Sequence, residues 1–134
     1  MVGEIIIDAT NATLGRLASY SAKQALQGKK IIILNSEKSI ITGNKKFIIN
    51  DYQEKKRRKG SMQSGPVLSK LPQKLVKRTI RGMLHHRTGR GREACKRILC
   101  FKGIPEEYKD KKMIKAGKEK HTAFITVREL ARLM

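Results

Sequence analysis

Three cationic segments of the chain have the residue types needed to hold phosphate. Lys55-Lys56-Arg57-Arg58-Lys59 is an unbroken run of five cations. Lys74, Lys77, Arg78 and Arg81 recur at helical spacing on the polar side of an apolar stripe. His85, His86, Arg87, Arg90, Arg92, Lys96 and Arg97 follow in a stretch interrupted by Gly89 and Gly91. The planar fork of arginine matches two phosphate oxygens at once, and glycine lets backbone amides come close to an anion. Glu93 is the sole acid between Gly60 and Lys102. A cationic run is often only a solvated face. Recurrence in three places, many arginines and interleaved glycines point instead to a polyanion.

Other chemistries fit less well. His85-His86 suggests acid–base work on a phosphodiester, as in a metal-independent ribonuclease. Adjacent side chains diverge, however, and no acid nearby would orient either ring, so phosphate binding is the better reading. Cys95 and Cys100 lack the paired spacing of a zinc site and are expected to be buried small hydrophobes. No metal or cofactor is expected. Gly15 follows a strand, but neither G-x-G-x-x-G nor G-x-x-x-x-G-K-[ST] is present. Gly15 is read as a close contact of helix on sheet.

Composition narrows the partners. The 134 residues carry 31 Lys plus Arg against 11 Asp plus Glu, a formal net charge of +20. A compact domain with that charge repels itself and gains stability beside a polyanion. Residues 1–54 hold seven basic and five acidic side chains, and residues 55–134 hold 24 and six. The first part reads as scaffold, the second as binding surface. Aromatics are 4% and tryptophan is absent, which argues against a single-strand binder that stacks bases on aromatic platforms and favours folded RNA or duplex backbone. No apolar run is long enough to span a bilayer and no secretory signal is apparent, so no membrane partner is expected. Two cysteines without a disulfide framework suit a reducing cytosol.

The elements that must position these cations follow from periodicity. Glu4–Asp8 and Lys30–Leu34 are β-branched runs typical of buried strands. Between them Leu14, Leu17, Ala18, Ala25 and Leu26 share a helical face, with caps offered by Asn11 and Thr13 and a stop at Gly28. That is a βαβ unit, hence a parallel sheet. A helix is predicted from Asn44 to about Arg58, with Phe47, Ile48 and Tyr52 inward. A second begins at Pro72, with Leu75, Val76, Thr79, Ile80 and Met83 inward. A short helix near Glu93–Arg97 leads to a strand at Ile98–Phe101, and a further strand is expected within His121–Ile125. Thr126 and Glu129 form a capping box for a last helix with Leu130 and Leu133 inward. One domain over residues 1–134 is expected, with 55–69 and 102–120 as loop or extended segments. Residues 55–69 are expected to order only on RNA.

Taken in order, these residues resemble a known family. Asp8-Ala9-Thr10-Asn11-Ala12-Thr13-Leu14-Gly15-Arg16-Leu17-Ala18-Ser19 is similar to the N-terminal signature of the universal large-subunit ribosomal protein thirteen family. Thr42-Gly43-Asn44-Lys45 sits where that family has its second motif, and Arg81-Gly82-Met83-Leu84 before a basic glycine-containing loop resembles its most recognisable one. Gly103-Ile104-Pro105 with Tyr108 resembles the archaeal and eukaryotic branch. The resemblance implies an α/β fold, a three-layer α/β/α sandwich on a four-stranded, mainly parallel sheet. It implies a cytoplasmic, non-enzymatic role in the large ribosomal subunit, with 23S-type rRNA and neighbouring ribosomal proteins as partners and no small-molecule substrate. Arg81 and the cations from Arg87 to Lys96 would then face RNA. His85-His86 departs from the proline and basic residue common in relatives. The longer bacterial segment before the second strand and the eukaryotic C-terminal extension are absent, which suggests an archaeal-type member. A general nucleic-acid-compacting protein is the other alternative.

Overall fold

The computed structural model of the protein describes residues 3–58, 68–119 and 121–134. Strand β1 (Glu4–Asp8), helix α1 (Leu14–Leu26) and strand β2 (Lys30–Leu34) form the anticipated βαβ unit. The two strands pair in parallel over five residues, from Glu4 opposite Lys30 to Asp8 opposite Leu34. Strand side chains alternate between faces. Ile7, Ile31 and Ile33 therefore turn to the α1 side, and Ile6, Ile32 and Leu34 to the other. Gly28, at φ +93°, closes α1 in the left-handed conformation.

The chain then makes a one-turn 3₁₀ helix at Ser36–Lys38 and a short strand β3 (Ile40–Thr42). Helix α2 (Lys45–Arg57) is capped by Asn44, whose side-chain oxygen accepts from Lys46 N at 3.0 Å. Helices α3 (Pro72–Gly82) and α4 (Gly89–Lys96) follow, then β4 (Ile98–Cys100), β5 (Ile114–Lys115), β6 (Phe124–Thr126) and α5 (Val127–Leu133). The main sheet has the order β4-β2-β1-β5 with every pairing parallel, and β3 pairs antiparallel with β6 in a separate two-stranded sheet. The α/β class and the four-stranded parallel sheet stand as expected.

Helix α1 packs on β2 and against both α3 and α4. Ala18, Ala22 and Ala25 are buried there, short enough to let the helices approach. Leu75, Val76 and Ile80 of α3 join the same core. Among the described residues the opposite sheet face is covered by a 3₁₀ turn, Glu106–Tyr108, and its flanks: Tyr108 is buried on Ile6, Ile32 and Leu34, with Phe101 and Met113 beside it. A third core of Ile48, Ile125 and Leu130 ties α2 and α5 to the small sheet. Thr126 Oγ1 accepts from Glu129 N at 3.2 Å, the cap expected for α5.

Several expectations are corrected. Strands β3 and β5 were not anticipated, and β5 falls inside a stretch expected to be loop. Residues 55–57 are the last turn of α2 rather than a loop; positions 59–67 of the expected arm lie outside the described residues. Helix α4 begins at Gly89, four residues earlier than expected, because Thr88 caps it by accepting from Gly91 N at 3.2 Å. Thr13 stands at the α1 N-cap without a side-chain cap bond, and Asn11 adopts φ +59°. Gly15 is exposed with no atom within 4 Å of where a Cβ would lie, so it makes no close contact with the sheet. Phe47, Met83 and Leu133 have the right period for burial but are 72%, 45% and 49% exposed. Each lies within the first or last turn of its helix or just beyond, where the packed face of the neighbouring element has ended.

Two close approaches fix the α3–α4 turn and the end of the sheet. A Cβ on Gly91 would coincide with the His85 carbonyl, and one on Gly117 with the Thr10 carbonyl. At the end of β1, Asp8 Oδ1 accepts from Thr10 N (3.1 Å), Thr10 Oγ1 (2.7 Å) and Asn35 Nδ2 (3.0 Å). Burial pushes the Asp8 carboxyl up, but the bonds from Asn35 and Thr10 and the charge of Lys38 together outweigh it and leave its pKa below the ordinary value.

Gly91→Ala and Gly117→Ala are expected to lower unfolding free energy by about 2 kcal/mol or more, since backbone must move. Gly15→Ala is expected to raise it by roughly 0.5 kcal/mol through reduced chain entropy. Urea melts of the three variants check the ranking. The depressed folded pKa of Asp8 means its stabilisation is present above the unfolded carboxylate value of 3.8 and is lost as pH falls through the folded value. Asp8→Asn should therefore be less stable than the native chain at neutral pH, with the gap narrowing in acid melts below about pH 3.

Candidate nucleic-acid interface

The strongest concentration of charge lies where α3 and α4 meet. Pro72 begins α3 at a position where its missing N–H costs nothing. Leu75, Val76 and Ile80 then hold one face of α3 against the core, which turns Lys74, Arg78 and Arg81 outward and leaves Lys77 half-buried. Leu84 is buried at the end of α3, and His86 N donates to its carbonyl at 2.8 Å. The chain reverses there. Thr88 N and Thr88 Oγ1 both donate to the His85 carbonyl, at 3.0 and 2.7 Å, and Gly91 lets that turn sit directly on α4. Buried Ala94 faces the core, so Arg90, Arg92, Glu93 and Lys96 are exposed.

The result is a shallow groove of two adjoining hollows. One, of about 350 Å³, is lined by Lys74, Lys77, Arg78, Arg81 and Cys95, with Leu68, Ser69 and Leu75. The other, of about 340 Å³, is lined by Lys77, Arg81, His86, Arg92, Cys95 and Lys96. Lys77 and Arg81 border both. Seven of the cationic or imidazole residues singled out from the sequence are thus brought to one surface. His85, Arg87 and Arg90 are exposed on the turn and the start of α4, outside the two hollows.

The other candidates are placed differently. Lys55, Lys56, Arg57 and Arg58 belong to the end of α2, away from this groove. Lys55 pairs with Asp51 at 3.1 Å and stands 4.9 Å from the centre of the Tyr52 ring. Arg58 pairs with Glu54 at 3.6 Å. Lys56 and Arg57 border a separate hollow with Gln53 and Met134. Lys59 lies outside the described residues. Arg97 is half-buried and turned toward α1, where Nη1 donates to the Ala25 carbonyl at 2.9 Å. Arginine there adds a charged donor to a carbonyl at the C-terminal end of α1 that also accepts from Gly28 N at 3.0 Å.

Electrostatics separate the groove from ordinary surface. Among the described residues, Lys74, Lys77, Arg78, Arg81, Arg87, Arg90 and Arg92 make no ion pair, while Lys96 pairs loosely with Glu93 at 3.7 Å. Unpaired cations packed on one face raise the local potential, and condensed anionic charge lowers that repulsion. His85 and His86 have no carboxylate partner among the described residues, so nothing positions either ring as a base. Cys95 and Cys100 are free and half-buried. Burial pushes the Cys100 thiol up to about 12, against the opposing charge of Lys77, so it stays protonated. No group of three or more His, Cys, Asp or Glu with metal-holding geometry occurs among the described residues. No helix among them is long and apolar enough to cross a membrane.

Arg16 was not among the residues singled out from the sequence. It borders one hollow with Tyr20, Ile114 and Lys118 and another with Thr42, Gly43, Glu119 and His121. These neighbours include ends of β3 and β5, short strands that carry little local signal.

Comparison with known proteins identifies the family. Residues 3–107 match the family model described as Ribosomal protein L13. The chain is 38% identical over 135 residues to the large ribosomal subunit protein uL13 of Archaeoglobus fulgidus, covering 96% of this chain and 86% of that one. It is 41% identical over 130 residues to uL13 of Methanocaldococcus jannaschii, covering 95% and 94%. Against uL13 of Thermoplasma volcanium the identity is 36% over 130 residues, with 95% of each chain covered. With the signature around Asp8–Ser19, the Arg81–Leu84 motif and the parallel sheet that joins them all in place, the chain belongs to the ribosomal protein L13 family.

Proposed function

We propose that this protein is a structural constituent of the large ribosomal subunit. It holds folded 23S-type rRNA by lysine and arginine contacts to phosphate and supports assembly beside neighbouring ribosomal proteins, in the cytoplasm. One observation carries the reading: Lys74, Lys77, Arg78, Arg81 and Arg92 line a single groove and make no ion pair among the described residues. The names of the archaeal relatives point the same way.

The mechanism follows from charge. RNA backbone holds a condensed counterion layer, and each phosphate neutralised by a side chain releases part of it. The helices fix where each cation is rooted, while ordering the exposed lysine and arginine side chains costs about 0.5–1.5 kcal/mol each and offsets part of that gain. The two hollows receive backbone rather than base edges, because arginine and lysine around an open depression offer donors without a paired acceptor set. Binding therefore reads the shape of folded RNA and not its sequence. No catalytic group is needed, and neither histidine is assigned a chemical step.

If about six phosphates are engaged, the logarithm of affinity for large-subunit rRNA should fall against log salt with a slope near −5. Arg81→Ala, which removes a cation shared by both hollows, should weaken binding several-fold for every RNA tested and lower that slope by about one. Filter binding across a salt series measures both. A loss confined to one RNA sequence, or a salt-independent affinity, would overturn the phosphate reading. Cleavage of labelled RNA abolished by His86→Ala would replace it with a ribonuclease.

A further inference from the structure

Phe47 lies in the first turn of α2, well apart in sequence from the α3–α4 groove. It is 72% exposed, more than any other large hydrophobic side chain described. The protein has three phenylalanines, three tyrosines and no tryptophan. Phe101, Tyr108, Phe124 and Tyr52 are buried or half-buried. Phe47 is unlike them, and its helix does not need it: Ile48 is buried and Tyr52 and Ile49 are half-buried on the inward side. A phenyl ring has no polar atom to reward contact with water, so its exposure is a standing cost in the free chain.

The surroundings of the ring identify what would cover it. Asn44, Lys45, Lys46 and Asn50 are all exposed. No acid occurs from Lys38 through Asn50. Asp51, the next one, is held by Lys55 at 3.1 Å. Thr42 and Gly43, just before the helix, border an open cleft of about 650 Å³ with Arg16 and His121, and with Glu119 as its one acid. A single exposed ring beside the exposed Lys45 and Lys46 suits a nucleotide, whose base has a flat apolar face and whose phosphates are anionic.

We propose that Phe47 is a stacking platform for one unpaired base of the bound rRNA, with Lys45 and Lys46 on the flanking phosphates. This rests on the rRNA-binding reading above and adds a second kind of contact to it. The α3–α4 groove follows backbone, whereas Phe47 detects a place where a base has left its helix. Stacking tolerates any base identity, because every base has a π face. The contact therefore selects RNA shape, a bulge or loop at a set position relative to the groove, rather than a letter.

The absence of tryptophan permits a direct test on the full-length chain. Phe47→Trp creates a single indole reporter, titrated with purified 23S-type rRNA at fixed salt. Stacking on a base is expected to quench its emission strongly, with a midpoint equal to that of filter binding. Phe47→Ala and Phe47→Leu should each weaken rRNA binding about ten-fold without changing the salt slope, because no phosphate contact is lost. Phe47→Tyr should bind like the native chain, and Lys45→Gln with Lys46→Gln should lower the slope. Circular dichroism melts of each variant verify that the fold persists. Three outcomes overturn the proposal: no quenching at saturation, a blue shift without quenching (as burial against protein would give), or Phe47→Leu binding as well as the native chain. If Arg81→Ala weakens binding while the Phe47 variants do not, the stacking contact fails and the groove stands. If neither matters and affinity ignores salt, the rRNA reading fails as well.

Discussion

The parallel ladder between β1 and β2 is the interaction on which the remaining structure depends. It aligns Ile5, Ile6 and Ile7 with Ile31, Ile32 and Ile33. That register sends one isoleucine set toward α1 and the other toward Tyr108. Burying each side chain is worth about 2 kcal/mol relative to exposure. A slip of one residue would exchange the two sets and undo both faces at once. Strand β4 adds to the free edge of β2 and β5 to the free edge of β1. Through α1 the ladder also sets the seats of α3 and α4. The cationic groove thus inherits its geometry from a stretch of sequence that is itself nearly neutral.

That division of labour answers a physical problem. A typical domain is stable by only about 5–15 kcal/mol, and mutual repulsion among like charges erodes that margin. Here the excess charge is concentrated after residue 54. The ladder and α1 face little of it. Where cations do enter the fold, they are given partners: Arg97 bonds the Ala25 carbonyl, and Lys30 and Lys111 flank Glu4 at 3.9 and 3.6 Å. Of the groove cations only Lys96 has an acid beside it among the described residues, so repulsion is concentrated at a surface that an anion would relieve.

The parts of the fold legible in the sequence were those encoded by contiguous pattern. The strands β1 and β2 and the helices α1 and α3 each repeat an apolar period for long enough to be recognised. Strands β3 and β5, of three and two residues, exist because a distant segment pairs with them, and no local signal records that. Helix α4 was legible only in part, because Gly89 and Gly91 read as helix breakers. Gly91 is there since a side chain would strike the His85 carbonyl, a tertiary reason invisible in one dimension. Period alone also placed Phe47, Met83 and Leu133 inward, since it does not know where a neighbouring element stops. The cations of the groove were legible by type. Their convergence was not, because it depends on buried Leu84 and Ala94 folding α3 back beside α4. Gly15 was misread for a related reason: a helix glycine beside a strand often marks a close contact, but here the space is open.

The same topology explains why this α/β sheet serves as a pedestal. In open sheets of this kind ligands enter the crevice beyond the carboxyl ends of the strands, where the strand order reverses. With order β4-β2-β1-β5 that point lies between β1 and β5. There the chain lines part of the crevice itself, beside a hollow of about 340 Å³ bordered by Ile7, Thr13, Arg16, Tyr20, Ile114 and Lys118. Gly117 rests on the Thr10 carbonyl, and Ala116 N donates to the Asp8 carbonyl at 3.3 Å. The Asp8 carboxylate, the group best placed to meet a ligand, is engaged by Thr10 and Asn35. These contacts stiffen the end of the sheet and withhold the Asp8 carboxylate from that hollow. The proposed function lies instead on the outer helices, where a broad cationic surface suits a macromolecular polyanion.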